Sequence, residues 1–517
     1  MSAPPPDTGA PARPEFLLTA AEAYPVFERR VLAARDRIVM GFRVFDPMTR
    51  LRSAEARDLG ETWVDLLVDA LRRGVRIELH LSDFDPVAAA DLHQACWRSV
   101  RILCGIRELA GTEAGQRLTV RPALHPAKIG RLARVLFWPI VARKIRQLER
   151  DEREGTQGST PRRLFKYLPG VAYLRERHKG RPILSFPASH HQKLAVFDGR
   201  WVYIGGLDLD ERRWDDADHD RPAQDTWHDV QALLDDPATA ASAERHLQSF
   251  DTTAAGTGAP ADTPGLLRTL SRDQGQSRPW SLSPRPVVQE IRDAHLHAIA
   301  GAERLIYLET QFFRDRTLAR ALARRARQKP GLQLILILPG APETVAFRKR
   351  PALDGRYGDF LQARCLKRIG AAFGDRLLVA SPVQPRRVSA EDMDAHRARL
   401  FGAPLIYVHA KVSVFDDRMA LVSSANLNGR SMRWDTEAGI AFDDPLAVRG
   451  LRERLAGIWL AGHQDIGDPT RAATWSNAAR LNQSRAPDKR TGFVMPYPEA
   501  RNRRFARFLP ILPADMF

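Results

Sequence analysis

The amino-acid sequence predicts an α/β protein made of two similar halves. Three observations lead to this prediction: a strand–helix–strand pattern occurs twice, a helix preceded by Asp-Pro ends each half, and one short motif recurs at a constant offset. At 517 residues the chain is longer than one ordinary domain requires, so we expect two lobes with a full hydrophobic core. Apolar residues make up 44% and charged residues 27%, which excludes a wholly disordered chain.

Each half begins with a predicted β-α-β unit. In the first half, strand, helix and strand patterns follow one another in RIVMGFRVFDP (from Arg37), ETWVDLLVDALRRG (from Glu61) and VRIELHLSD (from Val75). In the second half, the same order returns in ERLIYLETQFF (from Glu303), TLARALARRARQKPG (from Thr317) and LQLILILPG (from Leu332). The second half is therefore a copy of the first in outline.

The boundary between the halves is predicted at a stretch rich in Gly, Pro and Ser, DTTAAGTGAPADTPG followed by SRDQGQSRPWSLSPRP. Asp236-Pro and Asp444-Pro start the helices that end the two halves. The predicted divisions are a disordered tail (1–14), a first half (15–251) with a basic insertion (126–181), a linker (252–283), a second half (284–466) and a C-terminal extension (467–517).

The repeated motif carries the strongest functional signal. It consists of a histidine, a lysine and an aspartate at fixed spacing, at His191, Lys193 and Asp198 and again at His409, Lys411 and Asp416. All three pairs are separated by the same 218 residues. One copy alone is a weak signal, but two copies in register within a structural repeat indicate a shared function.

This motif suits the cleavage of a phosphate diester. We expect each histidine and its lysine to lie in a strand, where residues i and i+2 point to the same side, and both pairs to meet between the halves. The lysines would neutralise the phosphate oxygens, one neutral imidazole would attack phosphorus, and the other would protonate the leaving alkoxide. No metal and no cofactor is expected, because the protein supplies the cations.

The carboxylates of the predicted site fall into two groups. Asp198 and Asp416 belong to the repeated motif, but FDGRW and FDDRM are also typical of hairpin turns, which these aspartates would fix. Asp229 in TWHDVQALL and Glu437 in WDTEAGIAF each precede a strand-like segment. We predict that each of these two acids orients one imidazole, from its own half or from the opposite one.

Small polar residues follow each motif. Ser424 and Asn426 are predicted to donate hydrogen bonds to phosphate oxygens. Asp208, at the position that matches Asn426, suits a capping or turn role instead.

The charge and composition limit which partners and which cellular locations are possible. The formal charge of +17 implies an anionic partner, whether nucleic acid, a phospholipid surface or a phosphorylated substrate, and charge alone does not choose among them. Cys96, Cys104 and Cys365 are odd in number and lack metal-type spacing, which argues against disulfides and structural zinc. With no apolar signal core at the N-terminus, we expect a soluble or peripheral membrane protein, cytoplasmic or secreted without a cleavable signal peptide.

The motifs resemble the signature of the phospholipase D superfamily, His-x-Lys-x4-Asp followed by Gly-Gly or Gly-Ser. YLETQFF (from Tyr307), WHDV (from Trp227) and DERRWD (from Asp210) are similar to its phospholipid-cleaving branch. The resemblance covers most of residues 30–465 and implies a duplicated α/β/α sandwich, with two pseudo-twofold related lobes, mixed central sheets and one shared active site. It also implies a covalent phosphohistidine, with His191 as the nucleophile and His409 as the acid.

The sequence therefore predicts a monomeric phospholipase D-type enzyme that hydrolyses or transphosphatidylates glycerophospholipids at an anionic membrane surface. Three alternatives stay open: a cardiolipin or phosphatidylserine synthase-type phosphatidyltransferase, a phosphodiesterase whose partner is nucleic acid, and a phosphate-binding module without enzymatic activity. Two intact His–Lys pairs argue against the last of these.

The basic insertion is not explained by the resemblance. Its segment KIGRLARVLFWPIVARKIRQLERDERE, from Lys128, combines basic residues with Phe137, Trp138 and other apolar residues. We predict an interfacial helix that rests on anionic lipid. The alternative is a helix packed on the protein's own core with a solvated basic face.

Overall fold

The structure is a computed structural model of the 517-residue chain. It describes residues 13–154, 185–275, 278–347, 353–392, 396–463, 467–509 and 512–517. Residues 1–12 of the predicted tail and 155–181 of the predicted insertion lie outside the described residues. Across the described part of the chain, no helix is both long and apolar enough to cross a membrane.

A seven-stranded mixed sheet forms the centre of the first lobe. Its strands are β1 (Glu15–Leu18), β2 (Arg37–Phe42), β3 (Arg76–Asp83), β4 (Leu118–Leu124), β5 (Leu194–Phe197), β6 (Trp201–Gly205) and β7 (Val230–Asp235). They lie in the order β1-β7-β6-β5-β2-β3-β4. β2, β3 and β4 are parallel, whereas the remaining neighbours are antiparallel.

Helices cover both faces of this sheet. The helices of this lobe are α1 (Thr19–Ala33), α2 (Ala54–Arg57), α3 (Trp63–Arg72), α4 (Ala90–Ala110), α5 (Thr112–Gly115), α6 (Arg131–Glu154) and α7 (Pro237–Ala255). Successive side chains of a strand point to opposite faces, so Ile38 and Met40 of β2 pack in the cluster formed with α1, α3 and α4. Val39 packs in the cluster that contains Leu247 of α7. The first lobe is thus an α/β/α sandwich.

The second lobe has a nine-stranded mixed sheet and a separate two-stranded ribbon. Its strands are β8 (Leu267–Arg272), β9 (Arg285–Gln289), β10 (Leu305–Thr310), β11 (Gln333–Ile337), β12 (Leu377–Pro382), β13 (Arg399–Leu400), β14 (Ala403–Pro404), β15 (Lys411–Phe415), β16 (Met419–Ser423), β17 (Glu437–Phe442) and β18 (Val494–Pro496). The order in the large sheet is β18-β12-β11-β10-β15-β16-β17-β8-β9, and β13 pairs with β14.

The second sheet is also covered on both faces. The helices are α8 (Glu290–Gly301), α9 (Arg316–Gln328), α10 (Glu343–Ala346), α11 (Leu353–Phe373), α12 (Gly429–Arg433), α13 (Pro445–Trp459), α14 (Ala472–Gln483) and α15 (Glu499–Phe505). α8, α9 and α11 share one apolar cluster with the sheet. α13 and α14 pack in a second cluster, which also contains α7 and residues of the first sheet. One continuous core therefore joins the two lobes.

Both predicted β-α-β units are present. β2 pairs with β3 in parallel, with α3 between them in the chain, and β10 pairs with β11 in parallel, with α9 between them. The predicted fold class, a duplicated α/β/α sandwich with mixed central sheets, is confirmed.

The Asp-Pro prediction for the closing helices is also confirmed. Asp236 accepts hydrogen bonds from the backbone N–H groups of Ala238 and Thr239 at the start of α7. Asp444 accepts them from Leu446 and Ala447 at the start of α13. In each helix proline occupies the first turn, where its missing N–H costs nothing.

The divisions between the halves differ from those predicted. The segment 252–283 is not a continuous linker, because its first residues end α7 and Leu267–Arg272 forms β8. β8 pairs with β17, so this strand belongs to the second sheet. The extension 467–517 is likewise part of the second lobe, since β18 pairs with β12 and α14 packs in the core. Flanking Gly, Pro and Ser residues concealed these short elements in the sequence.

Candidate active site

The two His–Lys pairs meet where the lobes touch. His191 and His409 lie just before β5 and β15, so the prediction that they are strand residues is wrong. The backbone N–H of His191 donates to the carbonyl oxygen of Thr436 in the second lobe (2.8 Å). The backbone N–H of His409 donates to the carbonyl oxygen of His228 in the first lobe (2.8 Å). Each catalytic candidate is therefore held by the backbone of the opposite lobe.

Each imidazole also contacts an acid of the opposite lobe. Nδ1 of His191 lies 2.9 Å from Oε2 of Glu437, and Nδ1 of His409 lies 2.6 Å from Oδ2 of Asp229. Both acids are buried, so bulk solvent does not compete with the imidazoles for them. The structure thus pairs the predicted orienting acids crosswise, and neither half holds a complete site alone.

The surroundings of His191 define its tautomer. Its Nδ1 lies 3.1 Å from the backbone oxygen of Ser424 as well as 2.9 Å from Glu437. A carbonyl oxygen only accepts hydrogen bonds, so Nδ1 must carry the hydrogen. Nε2 of a neutral His191 then holds the lone pair that a nucleophile requires.

Burial keeps both imidazoles neutral in the free protein. It lowers the pKa of His191 and of His409 well below the usual value, and nearby lysines lower both further. Burial also raises the pKa of Asp229, and it raises that of Glu437 to about 8. An anionic substrate in the site would favour the protonated form of either histidine, because opposite charges stabilise each other.

The two lysines are buried but have different partners. Nζ of Lys193 donates to the backbone oxygen of His191 (2.8 Å) and lies 3.6 Å from Oδ1 of Asp208. Nζ of Lys411 bonds to the backbone oxygen of His409 and lies 2.8 Å from Nδ1 of the same residue. Burial lowers the pKa of Lys411 to about 7. The contact of Asp208 with Lys193 was missed in the sequence, although Asp208 follows the first motif at the position of Asn426.

Asp198 and Asp416 do not join the histidines. The carboxylate of Asp198 accepts from the backbone N–H groups of Arg35, Asp36 and Arg37 at 2.9 to 3.0 Å. The carboxylate of Asp416 accepts from those of residues 303–305 at 2.5 to 2.8 Å. Both aspartates have positive φ in the β5–β6 and β15–β16 turns. Their place in the catalytic set is corrected: they fix hairpin turns against the next strand.

Ser424 and Asn426 lie in the site with most of their polar groups already engaged. The Ser424 hydroxyl donates to Oε2 of Glu437 (2.5 Å), so it holds the acid rather than presenting a free donor. Nδ2 of Asn426 donates to Oε1 of Gln311 (3.2 Å), whereas Oδ1 of Asn426 is buried and has no hydrogen-bond partner among the described residues. Ser424 is therefore a positioning residue in this arrangement, and phosphate binding by either residue stays a prediction.

Three arginines that the sequence did not single out contribute positive charge. Arg43 and Arg430 both depress the pKa of His191, and Arg213 depresses that of His409. Arg430 donates to both oxygens of Asp435, and Oδ1 of Asp435 accepts from the backbone N–H of Ser189 (2.8 Å). This bridge ties the segment before His191 to the second lobe.

A group of buried hydrogen-bonded and aromatic side chains supports the segment before His409. The carboxylate of Glu309 lies 3.0 Å from Nε2 of His228 and accepts hydrogen bonds from Tyr307 and Trp459 at 2.5 Å. The ring of Trp227 packs against that of His409, with 4.5 Å between ring centroids. His228 thus acts through its backbone oxygen to hold His409 in place.

The arrangement as a whole suits nucleophilic and acid–base chemistry on a phosphate diester. Because Nδ1 of each ring faces an acid, Nε2 is the atom available for reaction at phosphorus. Two lysines and three arginines supply positive charge for an anionic reacting group. Among the described residues, no cluster of three or more His, Cys, Asp or Glu side chains could hold a metal ion.

Part of the chain matches a protein-family model, and several characterised proteins are similar to it. Residues 295–459, which contain the second motif, match a family model described as "Cardiolipin synthase, PLD-like domain". Phospholipase D zeta 2 of Arabidopsis thaliana is 27% identical over 246 residues, 42% of this chain and 22% of the relative. Phospholipase D gamma 2 of the same plant is 22% identical over 436 residues, 58% of this chain and 51% of the relative.

A mammalian relative and a solved structure agree with these matches. Phospholipase D2 of Bos taurus is 27% identical over 270 residues, 44% of this chain and 27% of the relative. The chain therefore spans between about a fifth and a half of the length of these relatives. The crystal structure of phosphatidylserine synthase from Haemophilus influenzae Rd KW20 superposes with a TM-score of 0.51 at 14% identity, covering 86% of this chain and 85% of that one. This likeness concerns the fold.

Proposed function

The chain belongs to the phospholipase D superfamily, and from this premise we propose that it transfers the phosphatidyl group of a glycerophospholipid to water or to an alcohol. The observation that carries the proposal is the crossed pairing of His191 with Glu437 and of His409 with Asp229. This pairing gives one site with two oriented imidazoles, one for each step of a double displacement. Because one chain supplies both, we propose that the protein acts as a monomer.

In the first step, Nε2 of His191 attacks phosphorus. A nitrogen–phosphorus bond forms, the bond to the head-group oxygen breaks, and Nε2–H of His409 gives its proton to the leaving alkoxide. The roles follow from the tautomer: His191 has its hydrogen fixed on Nδ1 by the Ser424 carbonyl oxygen, which leaves a lone pair on Nε2. His409 must be protonated first, and the negative charge of the bound diester favours that state.

In the second step, water or an alcohol attacks the phosphohistidine. Neutral His409 takes the proton of the attacking hydroxyl, the nitrogen–phosphorus bond breaks, and His191 leaves as a neutral imidazole. Water gives phosphatidic acid, whereas an alcohol gives a new phosphatidyl ester. Lys193 and Lys411 lie beside the histidines, where their charge would stabilise the phosphoryl oxygens in both steps.

The second candidate function is dedicated phosphatidyl transfer, in which an alcohol is the natural acceptor. The match of residues 295–459 to a family model described as "Cardiolipin synthase, PLD-like domain" favours it. Both candidates use the same covalent intermediate and differ in the acceptor of the second step. The ratio of hydrolysis to transfer at a fixed alcohol concentration therefore separates them.

The proposed function is tested with mixed phospholipid vesicles, incubated with and without a primary alcohol. We expect phosphatidic acid without the alcohol and a phosphatidyl alcohol with it, and we expect both products to be lost in His191→Ala and His409→Ala. His297→Ala is the matched control, because His297 is an exposed histidine of α8 remote from the motifs in sequence. Histidine-dependent cleavage of single-stranded DNA with no lipid product would contradict the proposal and support the nuclease alternative.

A further inference from the structure

A stripe of large apolar side chains is exposed on helix α6. Leu132, Val135, Leu136 and Ile140 are 42%, 59%, 57% and 65% exposed. Their spacing of i, i+3, i+4 and i+8 places them on one face of the helix, over its first three turns. Isolated exposed apolar residues are ordinary, but a contiguous stripe marks an interaction surface.

The opposite face of α6 packs against the protein. Ile145, on that face, is buried and forms an apolar cluster with Val87, against which Trp138 also packs. The helix thus packs on the protein's own core, as the alternative interpretation of the insertion expects. Its outward face over these turns is apolar rather than basic.

A second segment adds an aromatic residue to the same surface. The backbone N–H of Leu132 donates to the carbonyl oxygen of Pro279 (2.9 Å), and that of Gly130 donates to Ser281 (2.7 Å). Trp280, between these two contacts, is 66% exposed. We call Leu132, Val135, Leu136, Ile140 and Trp280 together the docking face. Tryptophan at such a position suits the boundary between lipid and water, where its ring is apolar and its N–H is polar.

Positive charge continues the docking face along the helix. Arg143, Arg146 and Arg150 are exposed and, at 100° per residue, lie on the same side of α6 as Leu136. An apolar stripe that passes into a row of arginines fits an anionic lipid surface: the apolar residues enter the boundary of the acyl chains, and the arginines meet the lipid phosphates.

The docking face lies next to the segment that leads into the active site. The backbone N–H of Ile129, just before α6, donates to the carbonyl oxygen of Ser185 (3.1 Å). The backbone N–H of Phe186 donates to Oδ2 of Asp85 in the loop after β3 (3.0 Å). Ser185 stands six residues before His191. A membrane bound at α6 would therefore lie close to the start of the segment that leads to His191.

We propose that the docking face binds the surface of an anionic phospholipid bilayer and presents the active site to it. The inference rests on the proposed function, since it assigns the site a substrate that stays in the membrane. The charge of the arginine row selects anionic lipid over a neutral surface.

The test uses the full chain and a triple variant, Val135→Ser, Leu136→Ser and Ile140→Ser. All three side chains are exposed, so the fold does not depend on them, and circular dichroism checks this. We expect the partition coefficient onto phosphatidylcholine vesicles with 30% phosphatidylglycerol to fall at least about tenfold, because each lost apolar side chain weakens insertion. Phospholipid turnover on these vesicles should fall in parallel.

The matched control is Leu109→Ser with Leu446→Ser, which removes two equally exposed leucines from other helices. The control should bind vesicles as wild type does, and all variants should hydrolyse the soluble diester bis(p-nitrophenyl) phosphate equally. Unchanged vesicle binding by the triple variant would overturn the proposal that the docking face binds lipid. The proposal would also be overturned if the wild type forms a dimer in solution and the triple variant does not. If the wild-type protein binds vesicles through this face but forms no lipid product, the proposed function is contradicted and the docking face is not.

Discussion

At the scale of single residues, the two histidines of the site are controlled by acids that lie far away in the sequence. Glu437 is 246 residues from His191, and Asp229 is 180 residues from His409. Removing either carboxylate removes a charged partner of Nδ1, so the imidazole is held less firmly in its orientation. In the proposed mechanism the acids therefore act through the histidines, whose Nδ1 atoms they contact.

We expect Glu437→Gln and Asp229→Asn each to lower kcat by about 10- to 100-fold, with a smaller change in KM. Steady-state kinetics on a soluble diester measures both constants. The control is Glu453→Gln, which alters a carboxylate on the exposed side of α13. Full activity in both site variants would contradict the proposal that these acids orient the histidines.

The pH dependence of catalysis should show the loss of the positive charge of Lys411. Its pKa of about 7 in the free protein means that its positive charge disappears as the pH rises through neutrality. We expect the decline of kcat/KM for a phosphate diester to become steeper above about pH 7, because this ratio reflects the free enzyme, in which His409 loses its proton at lower pH and Lys411 loses its proton near pH 7. The fall in kcat should occur at higher pH, since a bound phosphate stabilises the ammonium form.

The variant Lys411→Arg separates this lysine from other groups. A guanidinium stays charged over the whole range, so the alkaline fall in kcat/KM should move upward or disappear. An unchanged midpoint in this variant would assign the fall to another group, such as Glu437 with its pKa of about 8.

At the scale of the elements, each motif aspartate holds a hairpin turn to the strand beside it. Asp198 and Asp416 each accept three backbone hydrogen bonds at positive φ. Asparagine tolerates this backbone conformation, so Asp→Asn removes the charge without straining the turn. We expect each substitution to lower the free energy of unfolding by about 1–3 kcal/mol, measured by urea denaturation. The kcat of the folded fraction should stay unchanged. A large loss of kcat with an unaltered free energy of unfolding would instead show that these aspartates have a catalytic role.

The elements that the sequence predicted are those defined by local signals. Local strand and helix patterns of apolar residues defined the β-α-β units, and Asp-Pro defined the starts of α7 and α13. β8 and β18 were missed because they become strands only by pairing with β17 and β12, which are distant in the sequence. The loop position of His191 and His409 was missed for the same reason, since its hydrogen bonds come from the opposite lobe.

At the scale of the whole molecule, the sequence established that two copies of one unit exist but not how their side chains cross between lobes. The constant offset of the motifs predicted a shared site, because two like half-sites meet at a pseudo-twofold axis. It could not show that Glu437 serves His191, or that Asp208 and Asn426, at matching positions, contact different groups. Such differences arise where the two copies have diverged around one asymmetric reaction.

A group of buried histidines near the lobe interface makes the stability of the whole molecule depend on pH. His80, His125, His190 and His246 are buried, and burial lowers the pKa of each, to about 4 for His125 and about 3 for His246. Nδ1 of His190 lies 2.8 Å from the hydroxyl of Thr436 in the second lobe. The contact between the two lobes therefore includes buried histidines in their neutral form.

The sign of the effect follows from the protons bound in each state. Below about pH 6.5 the unfolded chain binds protons on these histidines, whereas the folded protein does not until the pH is far lower, so the free energy of unfolding falls as the pH drops from 6.5 toward 4. Each histidine adds a slope of up to about 1.4 kcal/mol per pH unit. In His246→Gln, where the amide can keep the contact with Gln192, urea denaturation at pH 7, 6 and 5 should show a shallower loss than in wild type, whereas the exposed control His297→Gln should match wild type. Equal slopes in all three proteins would mean that other groups carry the acid sensitivity.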